Sequence, residues 1–384
     1  MYVALTILLG VIAAAWLAGG LEIAFGVRKI PSLNDAEPLR DEECPSVSVI
    51  FAARDEAEKL PGALETMLAL DYPRLEVVAV DDRSTDETEE ILRAAEARDA
   101  RVKRVRVEDL PEGWLGKPHA LEAGYERSSG EWLVFTDADV HFEPDLLRRA
   151  VATAKREKWE HMPLLGRAKM FSAGEKIGMT FFGLSFLVGI RPWKASQTDS
   201  RVYVGVGAFQ LIRRAAYETS GTHRRLAMEV IDDVKLGKIV KEAGLRSGVA
   251  RAENGVSVHW HAGILNMVRG TEKNFFAASG FSVGRTVFHI AGLLSMCVLP
   301  WAAVWWVHGW ARVFAAGAVG LGVALQGGVA VEFGVSPLWA LTQPLGAILF
   351  SVMLGRSMVV TLRQGGIRWR GTFYPLEELK RGVV

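Results

Sequence analysis

Two apolar stretches in the middle of this chain run straight into carboxylates. Leu75–Val80 (LEVVAV) stops at Asp81-Asp82, and Trp132–Thr136 (WLVFT) stops at Asp137-Ala138-Asp139. Short β-rich apolar runs of this kind read as buried strands. A carboxylate at such an end costs desolvation unless a cation or hydrogen bonds meet it. Asp137 and Asp139 put two hard oxygen ligands at one strand end, spaced to share a divalent ion such as Mg2+ or Mn2+. A third acidic pair, Asp232-Asp233, stands in IDDVKLG.

The surrounding pattern says what kind of sheet these strands join. Val47–Ala52 (VSVIFA) is another β-rich run, and residues 56–70 carry Leu60, Leu64, Leu68 and Leu70 at helical spacing. Strands are expected at 75–80, 102–107 and 132–136, and helices at 86–97, 117–128 and 144–157. Strand and helix alternate every ten to fifteen residues, which implies βαβ crossovers, an α/β fold and a mainly parallel sheet. Ligands of such sheets sit at the carboxyl ends of the strands, where the acids stand.

The ends of the chain are different in kind. Half of the 384 residues are apolar and 23% are charged, with a mean hydropathy of +0.17, and the apolar excess lies in discrete runs. Residues 2–25 contain one charge, Glu22, and are long enough to cross a hydrocarbon core of about 30 Å. A secretory signal would open on basic residues; Met1-Tyr2-Val3 has none, so an uncleaved anchor is expected. Arg28 and Lys29 follow it and place that flank in the cytoplasm.

Three further runs, roughly 286–307, 310–332 and 336–360, have the length of spans and carry Trp301, Trp305, Trp306 and Trp310 at their ends. Three full crossings would put the C-terminus outside. Arg363, Arg368, Arg370, Lys380 and Arg381 favour the inside, so one run is expected to be re-entrant or interfacial. Ile177–Ile190 is apolar but reads as too short to span, either a helix on the membrane surface or a buried one. A net charge of +1 gives no footprint for nucleic acid. Cys44 and Cys297 are too few and too far apart for a disulfide framework or a zinc site.

Taken in order, VSVIFAARDE, LEVVAVDDRSTD, GKPHALEAGYERSSGEWLVFTDAD and IDDVKLG resemble a family-2 glycosyltransferase of the GT-A fold, from about Ser46 to His261. LPEGWLGKPHAL, IRWRGTFY and the apolar ends are similar to the lipid-modifying branch, which includes hopene-associated, carotenoid and, more distantly, ceramide glycosyltransferases. The organisation this implies is an anchor at 1–27, a linker at 28–45, the GT-A domain at 46–284, transmembrane helices at 285–362 and a cytoplasmic tail at 363–384. The chain would be a multi-pass protein of the cell membrane with its catalytic domain in the cytoplasm.

The resemblance implies roles for named residues. Asp81 and Asp82, with Ala53 and Glu56, would hold the nucleobase and ribose of a nucleotide-diphosphate-sugar, a UDP-sugar first of all. Lys117 would approach the nucleotide or its phosphates. Asp137 and Asp139 would hold the ribose and the metal that bridges the diphosphate. Asp233, ahead of Asp232, would take the proton of the acceptor hydroxyl in a single inverting displacement. His259 and His261 are expected on one face at the end of a strand, and either could complete the metal site. Arg269 is what remains of a later motif toward the acceptor or diphosphate, whose tryptophan is missing. That loss tells against the alternative of a processive polysaccharide synthase, and the intact acids tell against a non-catalytic nucleotide-binding membrane protein. Arg83 stands where the family usually has glycine, and Asp55 where it usually has asparagine.

Overall fold

The computed structural model describes residues 2–384. They form two compact units: an apolar one, made of the chain up to Lys29, Met170–Arg191 and Trp260–Leu376, and a polar one, made of Ile30–Lys169, Pro192–His259 and Glu377–Val384.

The chain begins in the apolar unit with α1 (Tyr2–Val27) and then enters the polar one. There β1 (Val47–Ala53), α2 (Leu60–Leu68), β2 (Leu75–Asp82), α3 (Thr88–Arg98), β3 (Val102–Val107), α4 (Gly116–Arg127) and β4 (Trp132–Asp137) follow the expected alternation. After them come β5 (His141–Phe142), α5 (Leu146–Glu157) and β6 (His161–Ala168). Helix α6 (Ala173–Ile190) returns to the apolar unit. The polar unit is completed by β7 (Gln210–Arg213), α7 (Arg214–Ser220), α8 (Asp232–Glu242) and β8 (Ala250–Val258).

Among the described residues these strands form one sheet in the order β3-β2-β1-β4-β7-β6-β8-β5. The pairs β2–β3, β1–β2, β1–β4 and β6–β8 are parallel; β7 runs antiparallel to both β4 and β6, and β5 antiparallel to β8. β1 and β2 are almost entirely buried, as strands covered by helices on both faces must be. One face packs Val47, Val49 and Phe51 with Leu64, Met67 and Val151. The other packs Ile50, Leu133 and Phe135 with Tyr217, Leu236 and Ile239. Helix α4 lies so close to the sheet that a Cβ on Gly124 would stand 2.6 Å from Ile50 and 2.9 Å from Val80.

The stretch expected to be a linker is pinned down. Arg148 donates to the Leu39 carbonyl at 2.7 Å and to Asp41 at 2.7 Å, and Arg149 to the Ala36 carbonyl at 2.8 Å. Residues 31–45 thus fold as part of the polar unit.

The apolar unit continues with α9 (Ile264–Gly270), α10 (Asn274–Ala278), α11 (Val283–Cys297), α12 (Leu299–Trp306), α13 (Gly309–Glu332) and α14 (Gln343–Gln364). A hairpin of β9 (Gly366–Trp369) and β10 (Thr372–Pro375) precedes α15 (Leu376–Arg381). Gly10 and Gly20 of α1 face Phe314 and Leu325 of α13, small residues admitting a close helix pair. Among the described residues five helical segments are long and apolar enough to cross a membrane: Tyr2–Val27, Ala173–Lys194, Val283–Trp306, Gly309–Glu332 and Pro337–Gln364.

The second of these corrects the reading of Ile177–Ile190 as too short. Its helix starts earlier, at Ala173. Ser172 caps it by accepting from the Glu175 N–H at 3.3 Å, and the Glu175 carboxylate accepts from Ser172 Oγ, Phe171 N–H and Gly263 N–H, each at 2.8 Å. The charged first turn, which breaks the apolar run in the sequence, is where the helix is fastened.

Candidate active site

Register sets the acids at the same edge of the sheet, on the two strands that flank β1. Ala53 at the end of β1 is level with Asp81 on β2, and Ala52 is level with Asp137 on β4. The loops beyond these strands are laced together. Asp55 Oδ1 accepts from the Thr85 N–H at 2.8 Å, Thr88 Oγ1 accepts from the Glu56 N–H at 2.9 Å, and Asp86 Oδ2 accepts from the Ala57 N–H at 3.0 Å. Asp55 and Arg83 both adopt left-handed backbone, with φ of 53° and 59°. This is the conformation that asparagine and glycine tolerate best, so Asp55 and Arg83 hold it at a cost.

Asp81 and Asp82 are buried. Asp81 accepts from the Ser84 N–H at 3.2 Å and lies 3.3 Å from Arg106. Arg83 clasps Asp82 with both arms of its fork, Nε to Oδ1 at 2.8 Å and Nη2 to Oδ2 at 3.2 Å, a pairing that fixes the carboxylate plane. Gly116, the first residue of α4, passes close to this pair: a Cβ would stand 2.5 Å from Asp82 Oδ2 and 2.7 Å from Arg83 Nη2.

Lys117 links the remaining acids. Its Nζ donates to Asp137 Oδ1 at 2.6 Å. Burial by itself would lower its pKa, but Asp137, Asp232 and Asp233 together outweigh that and hold the ammonium well above the ordinary lysine range. Gly207, in the loop before β7, marks where two of these carboxylates meet: a Cβ there would be 2.8 Å from Asp137 Oδ2 and 3.0 Å from Asp233 Oδ2. Asp232 and Asp233 occupy the first turn of α8, where the helix dipole favours negative charge. Asp232 is buried beneath the site, whereas Asp233 keeps partial exposure. Asp139, two residues past the strand, pairs with Lys59 at 2.9 Å.

The residues assigned to metal are less tightly grouped. Among the described residues no group of three or more His, Cys, Asp or Glu side chains is arranged to hold a metal ion, so Asp137, Asp139, His259 and His261 do not form a cage. Strand β8 ends at Val258, so its alternation does not reach the two histidines. His259 belongs to the polar unit, and His261, its ring tilted against that of Trp260 with centroids 4.9 Å apart, belongs with Arg269 to the apolar one. The oxygens of Asp137 and Asp139 still suit a hard divalent cation of the Mg2+ kind. Such an ion binds through one or two carboxylates and completes its shell with water and substrate phosphates rather than with a protein cage.

Several members of this constellation were not legible in the sequence. Lys59 and Arg83 look like solvated loop cations until their partners are seen. Gly207 sits in VGVGAF with no signal beyond its lack of a side chain. Behind Asp232 lies a buried polar cluster of Glu122, Tyr217 and His223, drawn from segments about a hundred residues apart.

Residues 48–220 match Glycosyl transferase family 2. A 4,4'-diaponeurosporenoate glycosyltransferase of Staphylococcus haemolyticus is 25% identical over 236 residues, 61% of this chain and 62% of that protein. A poly-beta-1,6-N-acetyl-D-glucosamine synthase of Staphylococcus aureus is 26% identical over 151 residues, 39% of this chain and 34% of that one. The chain thus spans less than two thirds of the length of either relative. Among solved structures, a mannosyltransferase from Pyrobaculum calidifontis in complex with GDP-Man and Mn2+ aligns with a TM-score of 0.54 and 20% identity, over 93% of this chain and 98% of that one. At that identity the likeness is one of fold.

Proposed function

We propose that this chain, whose residues 48–220 match Glycosyl transferase family 2 and which shares the GT-A fold, moves a sugar from a nucleotide-diphosphate donor, a UDP-sugar first of all, to a hydroxyl or carboxyl group of a lipid at the cytoplasmic face of the cell membrane. The observation that carries this reading is the gathering of Asp137, Asp232 and Asp233 about Lys117, at the edge of the sheet where β2 also ends, in Asp81 and Asp82. The carotenoid-acid relative and the long apolar helices support a lipid acceptor.

In this mechanism Asp81, Asp82, Ala53 and Glu56 take the nucleoside, and Lys117 swings from Asp137 toward the diphosphate. Asp137 and Asp139 would hold a divalent ion, which would supply charge neutralisation on the leaving diphosphate. Asp233 accepts the acceptor proton as that oxygen attacks the anomeric carbon, in one inverting step. Its partial exposure beside Gly207 favours it over Asp232, which is buried. The test is a panel of nucleotide sugars offered with a total lipid extract and read by mass spectrometry. A glycolipid forms with the native chain. Asp233→Asn forms none yet binds donor, and Asp139→Ala loses metal-dependent donor binding. Retained transfer by Asp233→Asn overturns the base assignment.

The match to a polysaccharide synthase favours a second reading, processive elongation. Product length separates the two: a single added sugar supports the first, a ladder the second.

A further inference from the structure

Beneath the acids, and away from any surface a substrate could touch, lies a row of buried polar side chains that the mechanism above does not use. His223 is 1% exposed. Its Nδ1 is 2.6 Å from the Tyr217 hydroxyl, and its Nε2 is 3.9 Å from Asp232 Oδ2. The Tyr217 oxygen also accepts from the His223 main-chain N–H at 2.9 Å and lies 3.2 Å from Glu122 Oε2. Phe135 closes one side of the imidazole, ring edge to face at 4.8 Å.

The hydroxyl has one proton and two takers. Glu122 is already served by the His223 N–H at 3.1 Å, Thr222 Oγ1 at 3.0 Å and Arg224 Nε at 2.7 Å. The nearer and needier acceptor is Nδ1. A ring whose Nδ1 accepts carries its hydrogen on Nε2, and that atom faces the Asp232 carboxylate. The opposite tautomer would turn a lone pair toward a buried anion. Burial and the neighbouring Lys117 both oppose a second proton, pushing His223 down to about 3, so the ring is a neutral dipole at working pH.

We propose that His223 is a positioning residue: fixed by Tyr217 as the Nε2–H tautomer, it directs that hydrogen at Asp232 and so sets the first turn of α8, which carries Asp233. This rests on the glycosyltransferase reading for its consequence, but not for its geometry.

The test uses the full chain in detergent, labelled with 15N-histidine, the His223 signals being assigned by their loss in His223→Gln. The expected spectrum shows a protonated Nε2 and a bare Nδ1 from pH 8 to pH 5, with Nε2 shifted in Asp232→Asn and both nitrogens shifted in Tyr217→Phe. A protonated Nδ1, or a Nε2 signal indifferent to Asp232→Asn, overturns the proposal. In transfer assays, Tyr217→Phe and His223→Leu should lower kcat by about ten- to a hundredfold, as loss of supporting partners does, with donor KM within about twofold. His223→Gln, which keeps an N–H donor, should recover part of the loss. Unchanged kcat in folded Tyr217→Phe overturns it equally. A native chain that transfers no sugar refutes the proposed function, and the spectrum still decides the tautomer.

Discussion

A side chain on Gly207 would crowd two carboxylates. With Asp137 Oδ2 at 2.8 Å and Asp233 Oδ2 at 3.0 Å from the place of a Cβ, Gly207→Ala must push the two carboxylates apart. Turnover should fall at least about tenfold, since sub-ångström misplacement of reacting groups is costly, while the thermal midpoint moves little because both acids can lean outward. A Gly207→Ala chain with native turnover would show that these acids do not act together.

A second residue-scale consequence concerns acid. His161 is fully buried between Ser247 at 2.9 Å and Gln210 at 3.0 Å, and burial lowers it to about 4; His223 lies at about 3. Both are neutral in the folded chain and take up a proton on unfolding below about pH 6.5. The unfolded state therefore binds more protons, and stability falls as pH drops from 6.5 toward 4, by about 1.4 kcal/mol per pH unit for each histidine. Thermal unfolding between pH 7 and pH 4.5 should show this slope, and His161→Gln should flatten it.

At the level of elements, the site depends on how closely α4 sits on the sheet. Lys117 and Gly116 open that helix, and Gly124 seats it against Ile50 and Val80. Gly124→Val should lift the helix, cost about 1–3 kcal/mol from overpacking, and weaken donor binding although residue 124 touches no ligand.

The far end of the chain matters to α8 in the same way. Lys235, in its second turn, is buried with Glu229 at 3.5 Å and reaches the main-chain oxygen of Val384, while the Val384 N–H donates to Glu229 at 3.1 Å. Removing one partner of a buried pair leaves an uncompensated charge, so Lys235→Met should cost about 3–5 kcal/mol. Thermal unfolding in detergent measures it, and a change below about 1 kcal/mol would mean the pair is wet.

The connectivity of the whole molecule constrains how its apolar helices could pass through a bilayer. Ile30–Lys169, Pro192–His259 and Glu377–Val384 belong to one folded polar unit, and a folded polar unit cannot straddle a membrane. In a bilayer, helix α6, between the first two stretches, would therefore return to the side it leaves, although it has the length and composition of a span. The helices from α11 to α14, between the second and third, must cross an even number of times. Single cysteines at positions 172 and 196, in a chain with Cys44 and Cys297 replaced by serine, should react with a membrane-impermeant maleimide from the same side. Labelling from opposite sides would break the polar unit as described.

The sequence by itself determined the alternation of strands and helices, the apolar runs at both ends and the identity of the acids. These are local properties: hydrophobic period, propensity and residue type are written along the chain within a dozen positions. It also carried the resemblance, since motif order is linear. What only the tertiary structure decided is which charges meet. Lys117 reaches Asp137 across 20 residues and gathers Asp232 and Asp233 from a hundred further on; Lys59 reaches Asp139 across 80. His223 has a partner because α4, α7 and α8 pack on the same face of one sheet. Pairing of this kind is set by strand register and helix seating, and no window along the sequence contains it.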